Sequence, residues 1–382
     1  MVQSIVVLGA GFGGLELVSV LSDAVADQVE ITLIDKSDSF IFGFSKLDVM
    51  FGRRGLDEVR AHYTDLLKPS VQFRRETVHT IEAATRTVVT DAATYHPDVL
   101  VVALGADYDV SATPGLADDG FEFYTPEGAE RAGRALAGFK GGKVVIGVLG
   151  PFFKCPGAPN ETALLTHDYL QQAGVREDST IYLTSPLPMP IPISKPTSEV
   201  IVSLLEEAGI EYWPGSLVTR LDPATHVAHF ADGRTLDYDL FLGIPVHSAP
   251  EVVAASDLCV EGWIPVDPAT FETQFPGVFA VGDVTSAPVP RAGAMAEGEA
   301  RTVAEVLIAR LRGTAAPAPF DGGAACYVET GGGTAARIDV NFLAYETPRA
   351  EIVGPTPEIM IDKTAFGTTR LARWFDYEAS TS

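Results

Sequence analysis

Cysteine is scarce in this chain: Cys155, Cys259 and Cys326 are the three among 382 residues. Three are too few for a disulfide scaffold, so the fold must rest on apolar cores. In a reducing compartment a cysteine pair is more often chemical than structural. Basic residues are scarce too, with 27 Lys and Arg against 51 Asp and Glu, a formal charge of −24. That balance argues against nucleic acid as a partner and against simple electrostatic docking on anionic lipid. No apolar run reaches transmembrane length. No basic stretch with an apolar h-region precedes the first strand pattern, so a cytoplasmic location is expected. No haem motif is evident and no metal site is expected.

What the sequence does contain is concentrated in its first 36 residues. An apolar run from Ile5 to Leu8 leads into GAGFGG, Gly9 to Gly14, and then a helical stretch to about Asp27. A second apolar run, Glu30 to Ile34, ends at Asp35. In such a strand–turn–helix–strand unit Gly9 allows the tight turn, Gly11 admits a pyrophosphate against the backbone, and Gly14 lets helix and strand pack closely. The helix N-terminus offers free N–H groups to phosphate. Asp35, 21 residues after Gly14 and followed by Lys36, stands where a carboxylate takes a ribose hydroxyl pair. A Gly-rich turn without ligand is the bland alternative, and the full context disfavours it.

The length asks for two or three domains. Residues 39–52, SFIFGFSKLDVMFG, read as an aromatic loop leading into a helix that lines the cofactor or simply packs a core; 57–67 read as a helix. Residues 71–103 read as strands with turns near Ala83 and Asp91. DVLVVALGAD, Asp98 to Asp107, is an apolar strand carrying Gly105 to where a dinucleotide runs. After a helix over 126–138, a second strand–turn–helix unit starts near Lys143. Its turn reads GPFFKCPGAP, with prolines and two phenylalanines where a phosphate cradle would be. The second unit therefore keeps the fold and loses nicotinamide-dinucleotide binding. Residues 240–253 read as a crossover back to the first domain, with His247 the one histidine near a predicted site. FPGVFAVGDVTS then carries Gly282 and Asp283 to a strand tip before a long helix ending at Gly313, an arrangement that suits the ribityl and pyrophosphate part of FAD. A Pro/Ala linker over 314–319 opens a small third domain. There, paired strands over 322–343 present Cys326 near a turn, and a short terminal helix offers Phe366, Leu371, Trp374 and Phe375 to the body or to a bilayer surface.

The expected architecture is α/β. It has an FAD-binding Rossmann-like domain over 1–108 and 246–313, a second Rossmann-like domain over 109–245, and a C-terminal α+β domain over 314–382. The chain resembles the two-dinucleotide-domain flavoproteins over nearly its whole length. Within them it is similar to the sulfide:quinone oxidoreductases and to the flavoprotein subunit of flavocytochrome c sulfide dehydrogenase. KCPGAP at Cys155 and ACYVE at Cys326 carry that finer resemblance. It implies a redox-active Cys155–Cys326 disulfide beside the flavin, attacked by sulfide. The loop FIFGFS has no cysteine near Phe42 where the flavocytochrome links its flavin, so non-covalent FAD is implied. Glu161, six residues after Cys155, matches an acid of the flavocytochrome subunit; it is either a proton acceptor for the thiol or a carboxylate favoured by a helix N-terminus. Lys154 beside Cys155 would favour the thiolate, and Cys259 reads as merely buried.

The leading expectation is thus an FAD enzyme taking electrons from a small sulfur substrate to a quinone. The alternatives are a cytochrome-linked sulfide dehydrogenase subunit, a type II NADH:quinone dehydrogenase, and a flavin-carrying subunit without activity of its own. A homodimer and peripheral contact with the cytoplasmic membrane both stay open.

Overall fold

The computed structural model describes residues 2–66 and 68–375. The first parallel sheet has the order Val278–Ala280, Val99–Val102, Gln3–Leu8, Val29–Asp35, Val71–Arg75. Its central strands are apolar throughout because helices and hairpins cover both faces. The order reverses between Gln3–Leu8 and Val99–Val102, which opens a crevice beyond the carboxyl ends of those two strands. Gly9 to Gly14 and Ala103 to Gly105 are the loops that leave that edge.

The second parallel sheet repeats the plan with Phe121–Glu122, Leu240–Ile244, Gly142–Val148, Ser179–Thr184 and Ile210–Trp213. Its reversal lies between Leu240–Ile244 and Gly142–Val148, and the loop that follows Val148 carries Cys155. Two short antiparallel strands, Asp107–Asp109 and Val246–Ser248, join the two halves and place Tyr108 opposite His247.

The C-terminal layer is a three-stranded antiparallel sheet, Gly323–Gly331, Thr334–Asn341 and Arg349–Thr356, followed by the helix Pro357–Phe375. That helix is fastened to the first half. Trp374 donates its ring N–H to Glu16 (2.8 Å), Arg370 donates to Glu297 (2.7 Å), and Arg373 donates to Glu297 (2.9 Å). Among the described residues no helix is long and apolar enough to cross a membrane, and no group of three or more metal-binding side chains occurs.

Four expectations need correction. Residues 57–67 are not one helix: the strand Arg60–His62, flanked by the 3₁₀ turns Asp57–Val59 and Tyr63–Asp65, pairs with Ser39–Ile41. The buried Val59, Tyr63 and Leu66 mimic helical spacing, but pairing to a neighbouring strand wins; Leu67 lies outside the described residues. Cys326 is in mid-strand opposite Ile338, because the turn falls five residues later at Gly331–Thr334. The terminal helix starts at Pro357, earlier than the sequence suggested, and its predicted continuation over 376–382 lies outside the described residues. Trp374 and Phe375 take the first of the two settings left open for them: they pack on the body, buried in the first sheet's core. Finally, Cys259 is only half-buried.

Candidate active site

One cavity of about 840 Å³ runs from the Gly-rich turn to the C-terminal sheet. It brings together, from segments far apart in sequence, Gly9, Gly11, Asp35, Lys36, Gly105, Gly282, Asp283, Cys155, Glu161 and Cys326. Gly14 is the one candidate residue off the cavity wall. A Cβ there would lie 1.9 Å from the Gly9 carbonyl oxygen, so it acts by close packing, as its place in the motif requires. Gly9, at φ 99°, would drive a Cβ to 2.3 Å from the Ala103 carbonyl. Gly11 has nothing within 4 Å of such an atom, which leaves open backbone facing the cavity.

The dinucleotide end fits a flavin adenine dinucleotide. The helix Phe12–Val25 presents its N-terminus to the cavity, with the bare Gly11 at the cap. Asp35 accepts the Ala10 N–H through Oδ2 and the Ser37 N–H through Oδ1, both at 2.8 Å. A carboxylate has about four acceptor positions, so two remain for ribose hydroxyls. Tyr63 donates to the Ala10 carbonyl at 2.7 Å and locks the same turn from beneath. At the far strand tip the Gly282 N–H is held by the buried carboxyl of Glu299, whose pKa burial pushes up to about 8. Burial also pushes Asp283 up, against the pull of Lys154, Arg291 and Lys46. Asp35→Ala is expected to weaken FAD binding by about 1–3 kcal/mol, the scale of a charge-assisted hydrogen bond lost in a closed site. Equilibrium titration of the apoprotein with FAD measures it, and an unchanged affinity would remove Asp35 from the site.

The sulfur end is formed by the helix Ala158–Gln172 and the strand Gly323–Gly331, which pack together. Cys155 precedes that helix at φ 56°, a left-handed conformation costly for a residue with a Cβ. Its N–H donates to the Arg291 carbonyl (2.7 Å), and its carbonyl accepts from Ala158 (2.8 Å). Burial pushes the Cys155 thiol up, and the neighbouring Cys326 and Glu161 push it further. Cys326 is pushed up to about 11, first by burial and then by Asp339 and Glu161. Lys154 does not favour a Cys155 thiolate as sequence adjacency suggested. Its ammonium turns away to the Ala106 carbonyl (2.6 Å) and the Tyr108 hydroxyl (3.2 Å).

Glu161 sits in the first turn of its helix, as the motif implied, but its partner was not legible. Lys363, from the terminal helix, donates to Glu161 Oε1 and to Glu329 Oε2, both at 2.7 Å. All three side chains are at most 5% exposed. Arg53 pairs with Glu329 from the other side. Sequence reading also missed Tyr63, Glu299 and Arg291. An isolated Lys, Tyr or Arg carries no local signal of burial.

The chain was compared with known proteins. The family model for pyridine nucleotide-disulphide oxidoreductases matches residues 3–300. The mitochondrial sulfide:quinone oxidoreductase of Mus musculus is 23% identical over 86% of this chain and 75% of that protein. The sulfide:quinone oxidoreductase of Aquifex aeolicus superposes with a TM-score of 0.84 at 22% identity, covering 98% of this chain and 93% of that one. A type II NADH:quinone oxidoreductase of Staphylococcus saprophyticus is 31% identical, but over 31% of this chain and 30% of that protein. With its two Rossmann-like sheets, its Gly-rich turn and a family match spanning most of its length, the chain belongs to the pyridine nucleotide-disulphide oxidoreductase family and is an FAD-dependent oxidoreductase.

Proposed function

We propose that this flavoprotein oxidises sulfide, or a related small sulfur species, through a Cys155–Cys326 redox pair and delivers the electrons to a quinone. The carrying observation is that two cysteines 171 residues apart, on different layers of the fold, line one cavity with the dinucleotide turn. In the oxidised pair the two sulfurs share a bond. Hydrosulfide attacks one of them: that bond breaks, a persulfide forms on the attacked cysteine, and the other leaves as a thiolate. Bound FAD supplies the two-electron acceptor for that thiolate and the donor for the quinone. The proton of the attacking hydrosulfide needs an acid–base group, and Glu161 lines the same cavity as both thiols.

The second half of the fold offers no berth for a nicotinamide dinucleotide. The helix Ala158–Gln172 would present its N-terminus to a pyrophosphate, but the C-terminal sheet covers it. A Cβ at Gly157 would lie 3.1 Å from the Val328 side chain and 3.7 Å from the Tyr327 carbonyl. Phe153 fills the turn and is buried. Anaerobically, micromolar sulfide should therefore bleach the flavin within seconds while the same concentration of NADH or NADPH does not. Rapid bleaching by NADH would promote the NADH dehydrogenase reading.

For the acceptor, a quinone would approach on the side of the C-terminal layer, where Ala325, Tyr327 and Phe366 line the cavity. Trp374 and Phe375, on the same helix as Phe366, are buried and stand outside that route. Turnover with cytochrome c and none with a soluble quinone would replace this acceptor by a cytochrome.

A further inference from the structure

We propose that His247 and Tyr124 are positioning residues that hold the backbone of Lys154 and thereby keep Cys155 aimed into the cavity. The inference rests on the cysteine-pair reading of that site and adds what sets the geometry of the pair.

The loop Pro151–Gly157 has no regular structure, yet every backbone polar group of its two central residues is engaged. His247 Nδ1 donates to the Pro245 carbonyl at 2.9 Å, which leaves Nε2 bare, and Nε2 accepts the Lys154 N–H at 3.2 Å. Tyr124 donates its hydroxyl to the Lys154 carbonyl at 3.0 Å. The Cys155 N–H goes to the Arg291 carbonyl and the Cys155 carbonyl takes the Ala158 N–H. A strained φ persists only where the surroundings over-determine it, and these four tethers do so.

The imidazole is suited to a fixed acceptor role. His247 is 6% exposed, and the rings of Tyr108 and Tyr124 meet it edge-on at 4.9 and 5.4 Å. Burial, and then the Lys154 ammonium, hold its pKa down at about 3, so it stays neutral and Nε2 stays an acceptor across the working range of pH. Lys154 adds a second tie by reaching Tyr108 on the opposing crossover strand and Ala106 just before it. The two strands that join the halves of the molecule thus grip the residue next to Cys155.

The test uses full-length FAD-loaded protein carrying Cys259→Ser and Cys326→Ser, so that Cys155 is the one thiol available to iodoacetamide. Releasing the loop exposes the thiol and lets its pKa fall toward the ordinary value, which raises the thiolate fraction. His247→Phe should accelerate alkylation about tenfold, whereas His247→Gln, which returns an acceptor near the Nε2 position, should stay within about twofold of the parent. Tyr124→Phe removes a single oxygen and should accelerate alkylation several-fold. In the otherwise native protein, His247→Phe should slow sulfide-driven flavin reduction at least tenfold at unchanged FAD content. If His247→Phe folds, holds FAD and alkylates at the parental rate, the proposal is overturned. If it does not fold, a parental rate in Tyr124→Phe overturns it just as well. A native protein that ignores sulfide removes the functional reading, while the alkylation rates still judge the clamp.

Discussion

Cys155→Ser and Cys326→Ser are each expected to keep FAD and the fold, yet to lose at least about 10³-fold in the rate of sulfide-driven flavin reduction, as expected for removal of an essential nucleophile. Cys259→Ser should change little, because Cys259 is half-buried and off the cavity wall. The site explains why the loss should be so large. Burial pushes both thiols up, so on the proposed mechanism a thiolate released by attack on the disulfide is an unfavourable resting state there. Its electron pair gains by moving on, and neither sulfur can act alone. On the proposed mechanism a single serine removes both the bond that sulfide attacks and the thiolate that follows. Stopped-flow bleaching under anaerobic conditions measures the rate, and flavin absorbance before mixing reports the FAD content. Wild-type rates in both variants would reduce the pair to a structural feature of some other flavoprotein reductase.

The parts of this site that were legible in the sequence are those tied to local backbone demands. GAGFGG can be read because a tight turn, a close approach and a tight helix–strand contact each need glycine at a fixed offset, and Gly9, Gly11 and Gly14 meet those needs separately. Asp35 could be read from its place at a strand end. Cys155 and Cys326 were suggested by short segments that resemble known ones, and nothing local would have paired them. What could not be read depends on long-range packing. Residues 57–67 carry an apolar spacing that fits a helix equally well, and the pairing of Arg60–His62 with Ser39–Ile41 decides otherwise. Lys154 follows the crossover strand rather than its sequence neighbour. His247 was noticed only as a histidine near a site; its use depends on Pro245 and Lys154 meeting its two nitrogens from opposite sides. The ions of the terminal helix were hidden for the same reason. Arg370 and Lys363 look like ordinary surface charge until Glu297 and Glu161 are seen beneath them.

Lys363→Met should be among the most destabilising single changes in the molecule, costing about 3–5 kcal/mol, because it leaves a buried carboxylate without its counter-ion. Glu161 is the exposed flank of that loss: its remaining partner is the Glu329 N–H at 3.2 Å, whereas Glu329 keeps Arg53. The pH dependence gives the sign. Burial works to raise Glu329, but Lys363 and Arg53 outweigh it and hold the carboxyl below its ordinary value of 4.5. Its contribution is therefore complete above 4.5 and is lost as pH falls through the lowered folded value. Burial works to lower Lys363, but Glu161 and Glu329 outweigh it and hold the ammonium above 10.5. That contribution is complete below 10.5 and is lost as pH rises through the raised folded value. The network is at full strength between the two limits, so the gap between native protein and Lys363→Met should be widest near neutrality. Below about pH 4.5 the gap should narrow, since protonated carboxyls no longer need the ammonium. Adding Glu161→Gln to Lys363→Met should recover part of the loss, because a neutral amide in place of the orphaned carboxylate removes the uncompensated charge. Thermal unfolding followed by flavin fluorescence, repeated across pH, reads all three effects. A Lys363→Met variant as stable as the native protein at pH 7 would mean that the ammonium's desolvation cancels its two ion pairs, and that the terminal helix is held by its other contacts, those to Glu16 and Glu297 among them.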